Sequence, residues 1–233
     1  MPQHALLNNV DHAKLRIQAG HGAHFGDNVM FAMTFPAEFR DLQAHYPIVF
    51  RKSDNGATFE PVALFGLEES ENLFLGATGW DASYIPLTVQ RQPFLIGVDG
   101  DELMVHIDLD NPRCSTTLGE PVFLPHGGTT PFLERANSTL LTIHQGLQAT
   151  PVFIAALTSL ELLESFVLDV ELDDGAHGRL SGFYTINEDR LAALDGDMLG
   201  RLHRAGYLQA IFMAVASLSN LRALIERKNR ARG

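Results

Sequence analysis

His106 and Asp108 are separated by one residue, and alternate side chains along a strand point to the same face, so both can reach one ion. With the distant His177 they would make the His-x-Asp…His set that binds non-haem Fe(II), and Arg179 could hold the carboxylate of an oxoacid cosubstrate. A chain with ten histidines makes such three-residue patterns by chance, and His177 falls in the loop-like run DDGAHGR. The competing reading is therefore a set of solvated polar residues on an open hairpin. His21 and His24, in the glycine-rich run GHGAHFGDN, form a His-x-x-His pair on a loop that could be drawn over a site; two solvated loop histidines are the alternative. The single Cys114 sits beside Arg113 in a polar turn with no adjacent histidine to activate it as a nucleophile. Dinucleotide and phosphate-binding glycine motifs, a Gly-x-Ser-x-Gly elbow and paired cysteines are absent from the sequence. Asp99 with Asp101 and Asp173 with Asp174 lie at turn glycines, where turn formation accounts for them without a metal. On balance neither a metal nor a cofactor is expected.

A different constellation occupies Gly76 to Val98. It holds the only Trp of the chain, Trp80, followed by Tyr84, Pro86, Arg91, Pro93 and Phe94. Leu87, Val89 and Arg91 alternate with polar residues, which reads as a short extended segment with Arg91 on its apolar face. An inward guanidinium needs a partner. One reading is internal, with Arg91 stacked on a ring and bonded to a carboxylate such as Asp81; the other is a pocket that takes an anionic ligand. Trp80, Tyr84 and Arg91 are accordingly the candidate ligand-binding residues, for a small aromatic or carboxylate compound.

The elements that must position these residues follow from period and punctuation. PIVFRK, FEPVALFGL and ENLFLG are short apolar runs separated by turn signals, as in an antiparallel sheet, and Phe94–Val98 and Leu103–Leu109 flank the turn Asp99-Gly100-Asp101. After Gly128 the period changes. Thr130-Pro131 opens a helix to about Gln148, and Thr150-Pro151 repeats the signal for a second helix to about Phe166. Val167–Leu172 and Arg179–Ile186 read as a hairpin, Asn187 as a helix cap, and the residues from Leu208 to Ile225 as an amphipathic helix. Strands that precede helices instead of alternating with them give an α+β fold, with an antiparallel-rich sheet in the N-terminal half and helices concentrated in the C-terminal half. The length of 233 residues suits a single domain, with a β-rich lobe over 1–129 and a helix-rich lobe over 130–233.

Charge and hydropathy narrow the partners. A net charge of −11 repels a phosphate backbone, so nucleic acid is excluded as an expected partner. A membrane span needs about 20 consecutive apolar residues, and neither Pro151–Leu168 nor Tyr207–Leu218 supplies them. The opening residues carry no basic start followed by an apolar run, so a cytoplasmic protein is expected. Phe212, Val215, Leu218 and Leu221 form a stripe that packs either within the chain or against a second copy or protein partner.

In several ordered blocks the sequence resembles the bacterial SapC family. In the N-terminal half they are His45-Tyr46-Pro47-Ile48-Val49-Phe50, Glu71-Asn72-Leu73-Phe74, Trp80 with Tyr84-Ile85-Pro86, and Arg91-Gln92-Pro93-Phe94. The C-terminal blocks are Gly182-Phe183-Tyr184-Thr185-Ile186-Asn187-Glu188, Gly206-Tyr207-Leu208 and Ser217-Leu218-Ser219-Asn220. Gln92 departs from the family's Arg-Tyr-Pro-Phe-like block, and Ala214-Val215-Ala216 stands where a histidine often precedes the Ser-Leu pair. The family name points to surface arrays, and the resemblance also implies gene neighbourhoods with flavin-dependent tryptophan halogenases, cupin-like proteins and outer-membrane receptors. With no export signal read, it implies an intracellular accessory role, and it supplies no catalytic residues.

Overall fold

The computed structural model describes residues 4–100 and 102–233; Met1–Gln3 and Asp101, the latter part of the expected turn after Val98, lie outside the described residues. The fold is α+β, and the strand pairs are antiparallel. The chain divides into two compact units that are not contiguous in sequence.

The first unit comprises the described residues up to Asp27, Leu75–Trp80 and Leu87–Gln145. Glu102–Asp108 is the central strand of a three-stranded sheet, flanked by His4–Leu6 and Phe94–Asp99. A smaller sheet has Arg16–Ile17 between Cys114–Ser115 and Glu120–Pro121. Leu15, Ile17, Phe94, Ile107, Val122, Leu133 and Leu140 close over one another as a single apolar core. The helix start expected at Thr130-Pro131 is present: Thr130 Oγ1 accepts from Leu133 N–H at 3.3 Å while donating to Pro121 O at 2.8 Å.

The second unit comprises Asn28–Phe74, Asp81–Pro86 and Gly146–Gly233. Its five-stranded sheet runs in the order Leu163–Glu171, His177–Ile186, Ile48–Lys52, Phe59–Leu64, Phe31–Met33. The C-terminal hairpin thus extends the N-terminal strands, through Phe183 opposite Arg51 and Tyr184 opposite Phe50. Ile48, Val49 and Phe50 are buried without interruption, as a strand covered on both faces requires. Tyr207–Ser217 packs on this sheet, and Ile48 N–H donates to Ser217 Oγ at 2.8 Å.

Three sequence expectations need correction. Leu87–Gln90 is a helical turn closed by Arg91 N–H to Leu87 O at 2.9 Å, not an extended segment. Over so few residues alternation and helical spacing cannot be told apart, and Pro86 lacks only a donor that a first turn leaves unused. Pro151 does not begin a second helix: Pro131–Ser159 is one helix with Pro151 inside it, and the strand starts at Leu163. The stop was misplaced because Thr150 Oγ1 turns back to Gly146 O at 2.8 Å instead of capping a new start. The last apolar stripe is two helices, Tyr207–Ser217 and Asn220–Arg232.

By length and composition alone, the stretches Pro131–Ser159 and Tyr207–Arg232 are apolar enough to cross a membrane, a test that core helices also pass. Leu133, Leu140, Phe153 and Leu157 are core residues on the first stretch, and Ile211 and Leu224 on the second.

Gly146 is a place where the chain admits no side chain. A Cβ there would come within 2.2 Å of the ring of Phe35, which is 1% exposed. Gly146→Ala is expected to lower the melting temperature: overpacking costs about 1–3 kcal/mol and outweighs the gain of about 1 kcal/mol in helix propensity. Thermal unfolding of the variant checks the sign.

Candidate functional site

Arg91 follows the helical turn of the first unit and is partly buried. Its Nη1 donates to Phe94 O at 2.7 Å. Among the described residues no carboxylate lies within ion-pair distance of it. Burial pushes its pKa below the ordinary arginine value. None of its nitrogens is a fully buried donor without a partner, so the N–H groups not used on Phe94 reach solvent. Asp81, the internal partner weighed from sequence, belongs to the second unit and pairs there with Arg227 at 2.6 Å.

Trp80 is held in the first unit by the Leu75–Gly76/Gly79–Trp80 ladder, and the His21 ring meets it edge-on at 5.6 Å. Tyr84 is part of the second unit. Its hydroxyl donates to Glu38 Oε1 at 3.0 Å, and its carbonyl accepts from Tyr46 O–H at 2.5 Å. Burial first, then the Glu38 carboxylate, raise the Tyr84 pKa well above the ordinary phenol value, so this hydroxyl is a fixed donor. Glu38, 2% exposed, accepts a second bond from Thr34 Oγ1 at 2.6 Å.

A heavily bonded charged group of the first unit is Arg113, 3% exposed. Its Nη2 reaches both oxygens of Asp27, at 2.8 and 2.7 Å, and Nη1 donates to Phe25 O at 2.9 Å and Gln92 Oε1 at 3.2 Å. The guanidinium also lies 4.7 Å from the centre of the Phe25 ring. Asp27 Oδ2 further accepts Gly22 N–H at 2.9 Å and faces His21 Nδ1 at 3.4 Å. Burial alone would raise the Asp27 carboxyl; the His21 ring, the Arg113 guanidinium and the Gly22 N–H outweigh it and hold it below the ordinary range. The glycine-rich histidine loop is therefore tied down from inside, and Gly26, left-handed at φ 84°, turns the chain just before Asp27.

The residues of the iron pattern are divided between the two units. His106 and Asp108 stand on the central strand of the first unit, and His177 and Arg179 on a strand of the second. Among the described residues no three His, Cys, Asp or Glu side chains are grouped to hold a metal ion. The His106 ring covers Gly97, where a Cβ would come within 2.5 Å of it, and Asp108 Oδ1 accepts Asp110 N–H at 3.2 Å in a turn. Arg179 makes an exposed pair with Asp169 at 3.7 Å, and His177 opposite Glu171 lines a shallow recess on the same hairpin. The Cys114 thiol donates to Asp108 O, and burial, then the Asp108 charge, push its pKa up to about 11. Arg113 does not activate that thiol, because its guanidinium is turned to Asp27.

Sequence reading missed Asp27, Arg113 and Glu38 as organising residues. Asp27 and Arg113 are 86 positions apart, and Arg113 drew notice only as a neighbour of Cys114. A buried charge leaves no periodic trace; the one local sign was an Asp closing a run of glycines.

Antiparallel sheets with a C-terminal hairpin built into the N-terminal strands, two discontinuous units and a buried Arg–Asp clamp define an α+β class of protein. The sequence model described as SapC matches residues 7–224, so the chain belongs to the SapC family. No curated protein and no solved structure gives a significant match.

The clamp sets an acid limit on stability. Because the folded carboxyl of Asp27 titrates below its ordinary value of 3.8, its contribution is complete above that pH and is lost as pH falls through the lowered folded value. Asp27→Asn leaves a buried guanidinium uncompensated and is expected to cost about 3–5 kcal/mol. Denaturant unfolding at neutral pH measures that loss, and unfolding below pH 3.8 should show that the variant has lost this component of the wild-type pH dependence.

Proposed function

We propose that this SapC-family chain is a non-catalytic ligand- or partner-binding accessory protein of the cytoplasm, and that Arg91 anchors a carboxylate or other anionic group of its ligand. One observation carries the reading: a partly buried guanidinium has a single backbone acceptor and no carboxylate partner among the described residues. A planar group with N–H donors facing solvent from a desolvated position is suited to a bidentate oxyanion. Trp80 is the ring of the same unit that belongs with this role, half-buried and held by its short ladder. Tyr84 belongs to the second unit, where its hydroxyl is engaged by Glu38. The tryptophan-halogenase and cupin-type gene neighbourhoods implied by the family make small aromatic carboxylates the first compounds to test.

Arg91→Ala removes one bond to a carbonyl and no ion pair, so its stability cost should stay within about 2 kcal/mol, while binding of a carboxylate ligand should be lost. Thermal unfolding beside a calorimetric screen of aromatic carboxylates measures both. A large drop in melting temperature with binding unchanged would end the ligand role of Arg91.

The same reading assigns the C-terminal helices a partner, taken here as a second copy of the chain. What supports it is the pattern of burial: Ala210, Ile211, Ala214, Ser217 and Leu224 are buried, whereas Phe212 is 53% exposed and Val215, Leu218 and Leu221 are only half-buried. Sedimentation at micromolar concentration should find a dimer that Phe212→Glu dissociates. A wild-type monomer would remove the self-association.

A further inference from the structure

The loop between Gly20 and Asp27 carries a histidine whose two nitrogens have different surroundings. His21 Nδ1 is fully buried and has no hydrogen-bond partner of proper geometry, yet it lies 3.4 Å from Asp27 Oδ2. Nε2 has no protein hydrogen bond among the described residues and is not among the buried unpartnered atoms, so it opens to solvent; the side chain as a whole is 18% exposed. Asp27 cannot turn away, because Arg113 holds both its oxygens and Gly22 N–H holds one of them. A neutral ring must place its single proton on one nitrogen. With the proton on Nε2, the Nδ1 lone pair would face a carboxylate oxygen in a buried setting. With the proton on Nδ1, a positive hydrogen lies near that oxygen and the contact becomes attractive, though without the alignment of a full hydrogen bond. The clamp therefore selects the Nδ1–H tautomer and leaves an outward lone pair on Nε2, the division of roles that a carboxylate imposes on histidine wherever it orients the ring.

From this we infer that His21 Nε2 is a directional hydrogen-bond acceptor for a ligand, and that Asp27 and Arg113 are the positioning residues that fix it. The class of ligand follows from the neighbours. The Trp80 ring, its centre 5.6 Å from that of the His21 ring and steeply inclined to it, supplies an aromatic neighbour, which suits a small aromatic compound bearing an O–H or N–H donor. The site needs no metal, covalent step or proton transfer. It rests on the histidine loop and not on Arg91, so it stands or falls separately from the anion role proposed above.

The test uses the full chain labelled with nitrogen-15, with the His21 ring assigned by loss of its signals in His21→Asn. The neutral ring is expected to carry its proton on Nδ1. Phenol should shift the Nε2 resonance saturably, and anisole, which lacks the donor, should not. A folded Asp27→Asn protein is expected to lose the tautomer preference. A neutral His21 protonated at Nε2, an equal response to anisole, or no response to phenol would overturn the inference. An unchanged tautomer in folded Asp27→Asn would overturn the role given to Asp27. Should Asp27→Asn not fold, the tautomer and the phenol–anisole contrast in the wild type decide.

Discussion

The Arg113–Asp27 pair is the constraint on which the first unit depends. A guanidinium 3% exposed must find acceptors for its donors or forfeit their solvation, and here two carboxylate oxygens, a backbone carbonyl and a side-chain amide oxygen supply them. These acceptors come from two separate segments. Asp27 and Phe25 O belong to the glycine-rich loop, Gln92 to the segment after the Leu87–Gln90 turn, and Arg113 itself precedes the strand that pairs with Ile17. One buried cation thus brings three remote segments to a fixed geometry, a task that apolar packing alone performs with less directional control. Breaking such a pair is costly because the surviving charge stays buried.

Cations play a similar part in the second unit, near the end of the chain. Arg227 lies 4.3 Å from the centre of the Phe74 ring and bonds both the side chain and the carbonyl of Asp81. Lys228, buried, is held by Glu68 and Glu71. Its pKa is raised, because bonds from those carboxylates outweigh the desolvation that opposes its charge. Both belong to the basic cluster Arg227, Lys228, Arg230 and Arg232. In the fold it is the means by which the last helix is fastened to the loop after Leu64, and Asn220 adds a bond to Gln43 O at 2.8 Å.

What was legible in the sequence divides along the same line. Features that depend on near neighbours were readable: the antiparallel character of the sheets, the cap at Thr130, the bond from Arg190 N–H to Asn187, and the Val167–Leu172 hairpin with its partner. Features set by distant contacts were not. Pro151 reads as a helix start from its neighbours, but the helix continues through it. Nothing local announces that Phe183 and Tyr184 pair with Arg51 and Phe50, or that Asp27 is held by a residue 86 positions later. The short segment before Arg91 failed for a different reason, since too few residues lie between Pro86 and Pro93 to establish any period.

A comparison of three arginines connects this partition to function. Arg113 and Arg227 each lie against a phenylalanine ring and each bond a carboxylate, so their charge is compensated within the protein. Arg91 is also taken partly out of water, and burial lowers its pKa without an opposing carboxylate. Folding alone gives no reason to withdraw a cation from solvent and leave it one carbonyl, since a lysine or glutamine at the surface would carry less desolvation cost. An incoming anion would supply the missing compensation in the place where the solvation has already been given up. That asymmetry separates Arg91 from the structural cations on chemistry that each unit contains by itself.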